Sequence, residues 1–122
     1  MQGFRRLNVW EKAHELTLEV YKATARFPKE ELYALTSQLK RAASSVAANI
    51  AEGCGRGSDA DFSRFLLIAM GSASELEYHL LLARDLKFLS ETDYQRLDTA
   101  ATEVKRMLAS LIHKTRGRAA AG

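Results

Sequence analysis

Long apolar runs are missing from this chain. The longest uninterrupted one, Phe65 to Met70, is under two helical turns, against the ~18–20 residues that cross a bilayer. No membrane association is expected. Cysteine is scarce as well: Cys54 stands alone and excludes an internal disulfide. Arg5 and Arg6 are followed by no apolar stretch of signal length, so the expected setting is the reducing cytoplasm. Proline occurs once, at Pro28, leaving long segments free of helix breakers. Neither sign of charge dominates. Eighteen basic residues against fifteen acidic ones leave +3, which alone neither demands nor excludes a polyanionic partner.

One absence is local. No acidic residue follows Glu103, whereas Lys105, Arg106, Lys114, Arg116 and Arg118 do, and Arg5 and Arg6 lie near the other terminus. Such cations either complement the negative pole of a helix C-terminus or form a surface for phosphate.

What is present is helical throughout. Apolar residues recur at steps of three and four, and nothing alternates with the period of a strand. Breaks fall at Pro28, at the cluster Gly53, Gly55 and Gly57, and at Leu89-Ser90. The first helix is predicted to be capped by Asn8, with Glu11 as its capping-box partner, an inner stripe from Val9 to Phe27, and an end at Pro28. The second carries Leu32, Leu35, Leu39, Ala42, Val46 and Ile50. Ser58 caps the third, which runs to about Lys87, and Ser90 caps the fourth. Short links make neighbours antiparallel, so the expected fold is an all-α, up-down-up-down four-helix bundle over residues 1–115, with a disordered tail over 116–122. The third helix has too many apolar residues for one stripe: Leu66, Leu67, Ile68, Met70, Tyr78, Leu81 and Leu82 stand beside it. A helix apolar nearly all round needs cover nearly all round, and a second subunit is the simplest source.

Catalytic patterns fail on spacing. A di-metal bundle needs two Glu-x-x-His pairs plus further carboxylates. Glu11 and His14 make one pair, but Leu76 precedes His79 and Ser110 precedes His113 at that spacing. Cys54, at a helix C-terminus, faces a dipole that raises its pKa. No nucleophile elbow, phosphate-binding loop or Cys-x-x-Cys pair occurs. No metal, cofactor or enzymatic activity is expected. A polar group remains: Asn49 and Glu52 on the second helix, Ser72 and Glu75 on the third, with Arg41 and Arg56 in reach. It reads either as a buried network fixing helix register or as a pocket for a ligand or partner.

The run from Arg41 through Ala47, Asn49, Glu52 and Gly53 to Gly55-Arg56 resembles the signature of a bacterial four-helix-bundle family associated with intervening sequences in 23S ribosomal RNA genes. Phe4, Leu7, Val9 and Trp10 resemble it too, as do Tyr33 to Thr36 and the pattern Phe62, Phe65, Ala69, Gly71, Ser72, Glu75 and Glu77. Ala34 stands where the family usually has glycine, and Ala47 where proline is frequent. The resemblance implies a homopentameric ring. It also implies kinship to the accessory variability proteins of diversity-generating retroelements, similar bundles whose basic surfaces engage RNA and a reverse transcriptase. The expected function is a non-enzymatic oligomer binding structured RNA or a ribonucleoprotein partner through Arg5, Arg6, Lys105, Arg106, Lys114, Arg116 and Arg118. A protein-interaction scaffold that binds no nucleic acid is the alternative.

Overall fold

Interdigitated apolar stripes decide the architecture in the computed structural model, which describes residues 3–121. A 3₁₀ turn, Phe4–Arg6, leads into α1 (Asn8–Thr24). A second 3₁₀ turn, Lys29–Glu31, precedes α2 (Leu35–Cys54); α3 (Asp59–Asp85) and α4 (Glu91–Ala121) follow. There are no strands among the described residues. Each helix adjoins two others, with α1 opposite α3 and α2 opposite α4.

Cross-helix contacts give the direction of every pair. Thr17 Oγ1 donates to the Ala43 carbonyl and Lys40 sits over Tyr21, so α1 and α2 run antiparallel. Ser45 meets Ser72 while Arg41 meets Glu75. Glu77 pairs with Lys105 while Asp59 pairs with Arg118. Along the α1–α4 seam Lys12 faces Glu103, Glu19 faces Arg96 and Arg26 faces Asp93. The bundle is therefore up-down-up-down. Its core combines Leu16, Leu39, Ile50, Leu66, Leu76, Leu80, Leu97 and Leu108 with a set of buried alanines.

Helix ends explain where sequence and structure agree and differ. The Ser58 and Ser90 hydroxyls accept from the Asp61 and Asp93 amides, satisfying donors that a helix start leaves open. Asn8 is not a cap. Leu7 holds that position, fixed by its own bond to the Phe4 carbonyl and accepting from the Glu11 amide. Helix α1 stops at Thr24, ahead of Pro28, because Phe27 turns inward to close the core against Phe88. Leu32 lies outside α2 and is half exposed. The expected tail is helical instead: α4 continues to Ala121, held by Thr115 bonding to Leu111 and by Arg118 bridging to Asp59. Helix α3 closes with Lys87 at φ 65° and the Phe88 amide on the Ala83 carbonyl, the backbone pattern of a Schellman cap.

The glycine cluster divides into separate roles. Gly57 has φ +83° and makes the turn. Gly53 lies within α2, where a Cβ would sit 2.9 Å from both Phe62 Cδ1 and Phe65 Cβ. A phenyl ring can rotate aside, but the Phe65 Cβ is fixed to the α3 backbone. Gly53→Ala should therefore lower stability by about 1–3 kcal/mol despite alanine's better helix propensity, read as a lower midpoint in urea unfolding. An unchanged or raised midpoint would show that α2 and α3 can separate at no cost.

Candidate nucleic-acid interface

The α1 start, α2 end, α3 start and α4 end share one end of the bundle, as the antiparallel order requires. That topology gathers Arg5 and Arg6 with the carboxylate-free half of α4. The seven cations expected to contact phosphate are not equivalent there. Lys105 Nζ lies 2.7 Å from Glu77 Oε1 in a half-buried pair, and Arg118 is 3.4 Å from Asp59. Both are committed to holding α4 against α3. Arg5 lies over the Phe4 ring at 4.8 Å, which leaves its guanidinium edges open. Arg6, Arg106, Lys114 and Arg116 are exposed and have no carboxylate partner among the described residues. Glu11, on the first turn of α1, also has no cation partner among them.

On α4 the residues Arg106, Ser110, Lys114 and Arg118 follow at intervals of four, which places them on one face. The other half of α4 has the opposite character. Glu91, Asp93 and Glu103 there pair with Arg84, Arg26 and Lys12. On α4 the open cations thus lie in the half nearest the α1 start; elsewhere Lys29, Lys40 and Lys87 also have no carboxylate partner among the described residues.

The polar group on α2 and α3 lies on the surface seam between them, not inside the core. Ser45 and Ser72 share a hydrogen bond of 2.9 Å, and Asn49 Nδ2 donates to the Ser45 carbonyl at 2.8 Å and to its hydroxyl at 3.0 Å. Arg41 reaches Glu75 at 2.8 Å and also bonds Gln38. Glu52 does not join Asn49; it pairs with Arg56 at 3.1 Å. Arg56 and Arg64 lie on the Phe65 ring, at 4.8 and 4.6 Å. Two of these contacts, Ser45 with Ser72 and Arg41 with Glu75, bridge α2 to α3 and mark the register of one helix on the other, while Asn49 and Glu52 bond locally. They are half-exposed because both helices carry small residues on that side. Signals for this register were present in the serines, but pairing across helices cannot be read from spacing within one.

Among the described residues no three His, Cys, Asp or Glu side chains are placed to hold a metal ion. Cys54 is buried, and desolvation pushes its thiol above the ordinary range. The direction matches the sequence expectation, and burial of the thiol supplies it. His79 Nδ1 is buried without a hydrogen-bond partner among the described residues.

An antiparallel four-helix bundle with a bridged α2–α3 seam and one basic end is the class defined by this geometry. The chain belongs to the family described as 23S rRNA-intervening sequence protein, whose model matches residues 5–110. It is also similar to a crystal structure of a protein with unknown function from the S23 ribosomal protein family of Bacteroides thetaiotaomicron. The two share 29% identity at a TM-score of 0.77, over 85% of this chain and 97% of that one. No curated protein matches the chain.

Burial of Cys54 has a direct chemical consequence. A raised thiol pKa means less thiolate at pH 8, and the thiolate is the reactive form. Its reaction with a disulfide reagent should be at least ~10-fold slower in the native protein than in urea. Equal rates would show an accessible, reactive thiol.

Proposed function

We propose that this protein is a self-associating, non-enzymatic module that binds structured RNA through the basic end of its bundle. The observation carrying this reading is the segregation of exposed side chains. Leu18 and Tyr21 on α1, Leu32 and Tyr33 before α2, Leu67, Ile68 and Tyr78 on α3, and Leu86 after it are the exposed large apolar residues. None belongs to α4, the helix with the open cations. The exposed apolar residues of α1, of the segment before α2 and of α3 are thus suited to cover by protein, and the basic face of α4 to contact with phosphate.

On α3 the outward stripe runs Leu67, Gly71, Ser74 and Tyr78, flanked by Ile68, without a charge. Leu67, Ile68 and Tyr78 are 41%, 44% and 57% exposed. Leu66 belongs to the core, while Met70 and Leu82 pack against it, so the surplus apolar surface is narrower than the sequence suggested. Gly71 has open space above its Cα, leaving room for close approach of a second backbone. Covering this face with copies of the chain would leave α4 outward and repeat the basic end around the assembly. A ring of five is the assembly favoured by the family resemblance. Linked weak sites then gain avidity without new contacts.

Contacts from Arg5, Arg6, Arg106, Lys114 and Arg116 would be mainly to phosphate. They would give shape-directed affinity that falls with salt. A role as accessory subunit of a retroelement reverse transcriptase is a more specific form of this reading, and an adjacent reverse-transcriptase gene would favour it. A scaffold that binds only proteins is the competing reading, favoured by the size of the apolar face.

Two measurements separate these readings. In salt-titrated binding to an RNA hairpin, Arg106→Glu and Lys114→Glu should each weaken affinity by about 10-fold or more, and the corresponding alanine variants should lower the salt slope by ~1 per site. Lys105→Gln should change binding far less, because its charge is already spent on Glu77. Salt-independent or absent binding sinks the RNA reading. Native mass spectrometry should return a multimer, with five subunits expected, that dissociates in Leu67→Glu or Ile68→Glu. A wild-type mass of one subunit sinks the assembly.

A further inference from the structure

Where α1 begins against the last third of α4, the surface opens into a groove of about 430 Å³. Its floor is apolar: Leu7 and Val9 from one side, Met107 and Leu111 from the other. Its rim carries Arg106 and Lys114, two turns apart on α4. Asn8 and Ser110 also border it, and neither side chain has a hydrogen-bond partner among the described residues. No carboxylate lines it.

That combination sets it apart from the other clefts. The cleft along the α1–α4 seam contains Glu15, Glu19 and Glu103 and repels phosphate. In the one beneath Cys54 the cation Arg118 is held by Asp59. In the one beside Tyr33, Lys40 is stacked on Tyr21 and Arg41 is bound to Glu75. The cleft at the α3–α4 turn contains Asp85 and Glu91. Among these clefts of the described residues, the groove beside Asn8 is the one that joins an apolar floor to two cations held by neither a carboxylate nor an aromatic ring.

We propose that this groove holds one unpaired nucleotide of a bound RNA, its base laid on the Met107–Leu111 floor and its phosphate between Arg106 and Lys114. This rests on the RNA reading above and narrows it to RNA with unstacked bases. A base in a duplex hides its faces and offers only backbone, whereas a loop or bulge nucleotide can be splayed into a pocket. The Asn8 amide and the Ser110 hydroxyl can both donate and accept, so they can meet the polar edge of more than one base. An aliphatic floor stacks less strongly than an aromatic one, which sets a modest preference with little base identity.

The test compares the intact protein binding two RNAs of equal length and charge: a hairpin with an unpaired loop carrying 2-aminopurine, and a fully paired duplex. The loop RNA should bind about 10-fold more tightly and its fluorescence should change on binding. Ser110→Ile adds bulk at an exposed position over the groove and leaves every charge in place. It should abolish the loop preference and the fluorescence change while duplex affinity and salt slope stay as in the wild type. Met107→Gln, which makes the floor polar, should act in the same direction, and unchanged thermal melting verifies the fold of each variant. Equal wild-type affinity for both RNAs, or a loop preference that survives both substitutions, overturns the groove while leaving salt-dependent RNA binding intact. Failure to bind either RNA overturns both proposals.

Discussion

The close approach of α2 and α3 is the constraint on which the remainder of the molecule depends. Gly53 lets α2 lie against Phe62 and Phe65 with no room for a methyl group, and both helices also bury alanines, Ala42 on α2 and Ala69 and Ala73 on α3. Close-packed interiors respond to even one added methylene, so this seam fixes how far apart the helices sit. Its outer edge is then closed by polar bridges, Ser45 to Ser72 and Arg41 to Glu75. Exposed ion pairs contribute little to stability, about 0–1 kcal/mol each. Their value here is register: a slip by one turn along the seam would separate each pair.

The seam also fixes the rest of the surface. Once α2 and α3 are set, α1 and α4 close the square, and the α1 start comes to the α4 end. That meeting places Leu7 and Asn8 beside Arg106 and Lys114. It also turns Leu67, Gly71 and Tyr78 away from the core, although they share a helix with Leu76 and Leu80. By length and composition α3 is the one helix among the described residues able to cross a bilayer, with an 18-residue stretch of mean hydropathy 1.2. In the bundle, its apolar side chains are divided instead between the core and an outward stripe.

Much of this was legible before any coordinates. Helical periodicity and the Ser58 and Ser90 caps specify four helices, and short links specify their antiparallel order. Other features depend on contacts between helices and leave no mark on one strand of text. Gly53 reads as a turn residue because its neighbours Gly55 and Gly57 are near turns, and only the facing phenylalanines reveal its packing role. Lys105 and Arg118 read as open cations until Glu77 and Asp59 are set opposite them. Beyond Ile112 the apolar period fades and the chain resembles a tail, yet alanine and arginine are strong helix formers and Arg118 ties the segment to α3. Asn8, an expected cap, is displaced by one residue because the turn at Phe4–Arg6 delivers Leu7 to that position.

The central proposal is a division of labour: α4 and the α1 start would meet RNA, and the exposed apolar residues of α1, of the segment before α2 and of α3 would meet protein. Ultraviolet cross-linking of the wild-type protein to an RNA hairpin, with the modified peptides identified by mass spectrometry, tests it most directly. The account predicts cross-links confined to residues 4–9 and 106–118. Cross-links concentrated on the outward stripe of α3, between Leu67 and Tyr78, would contradict it.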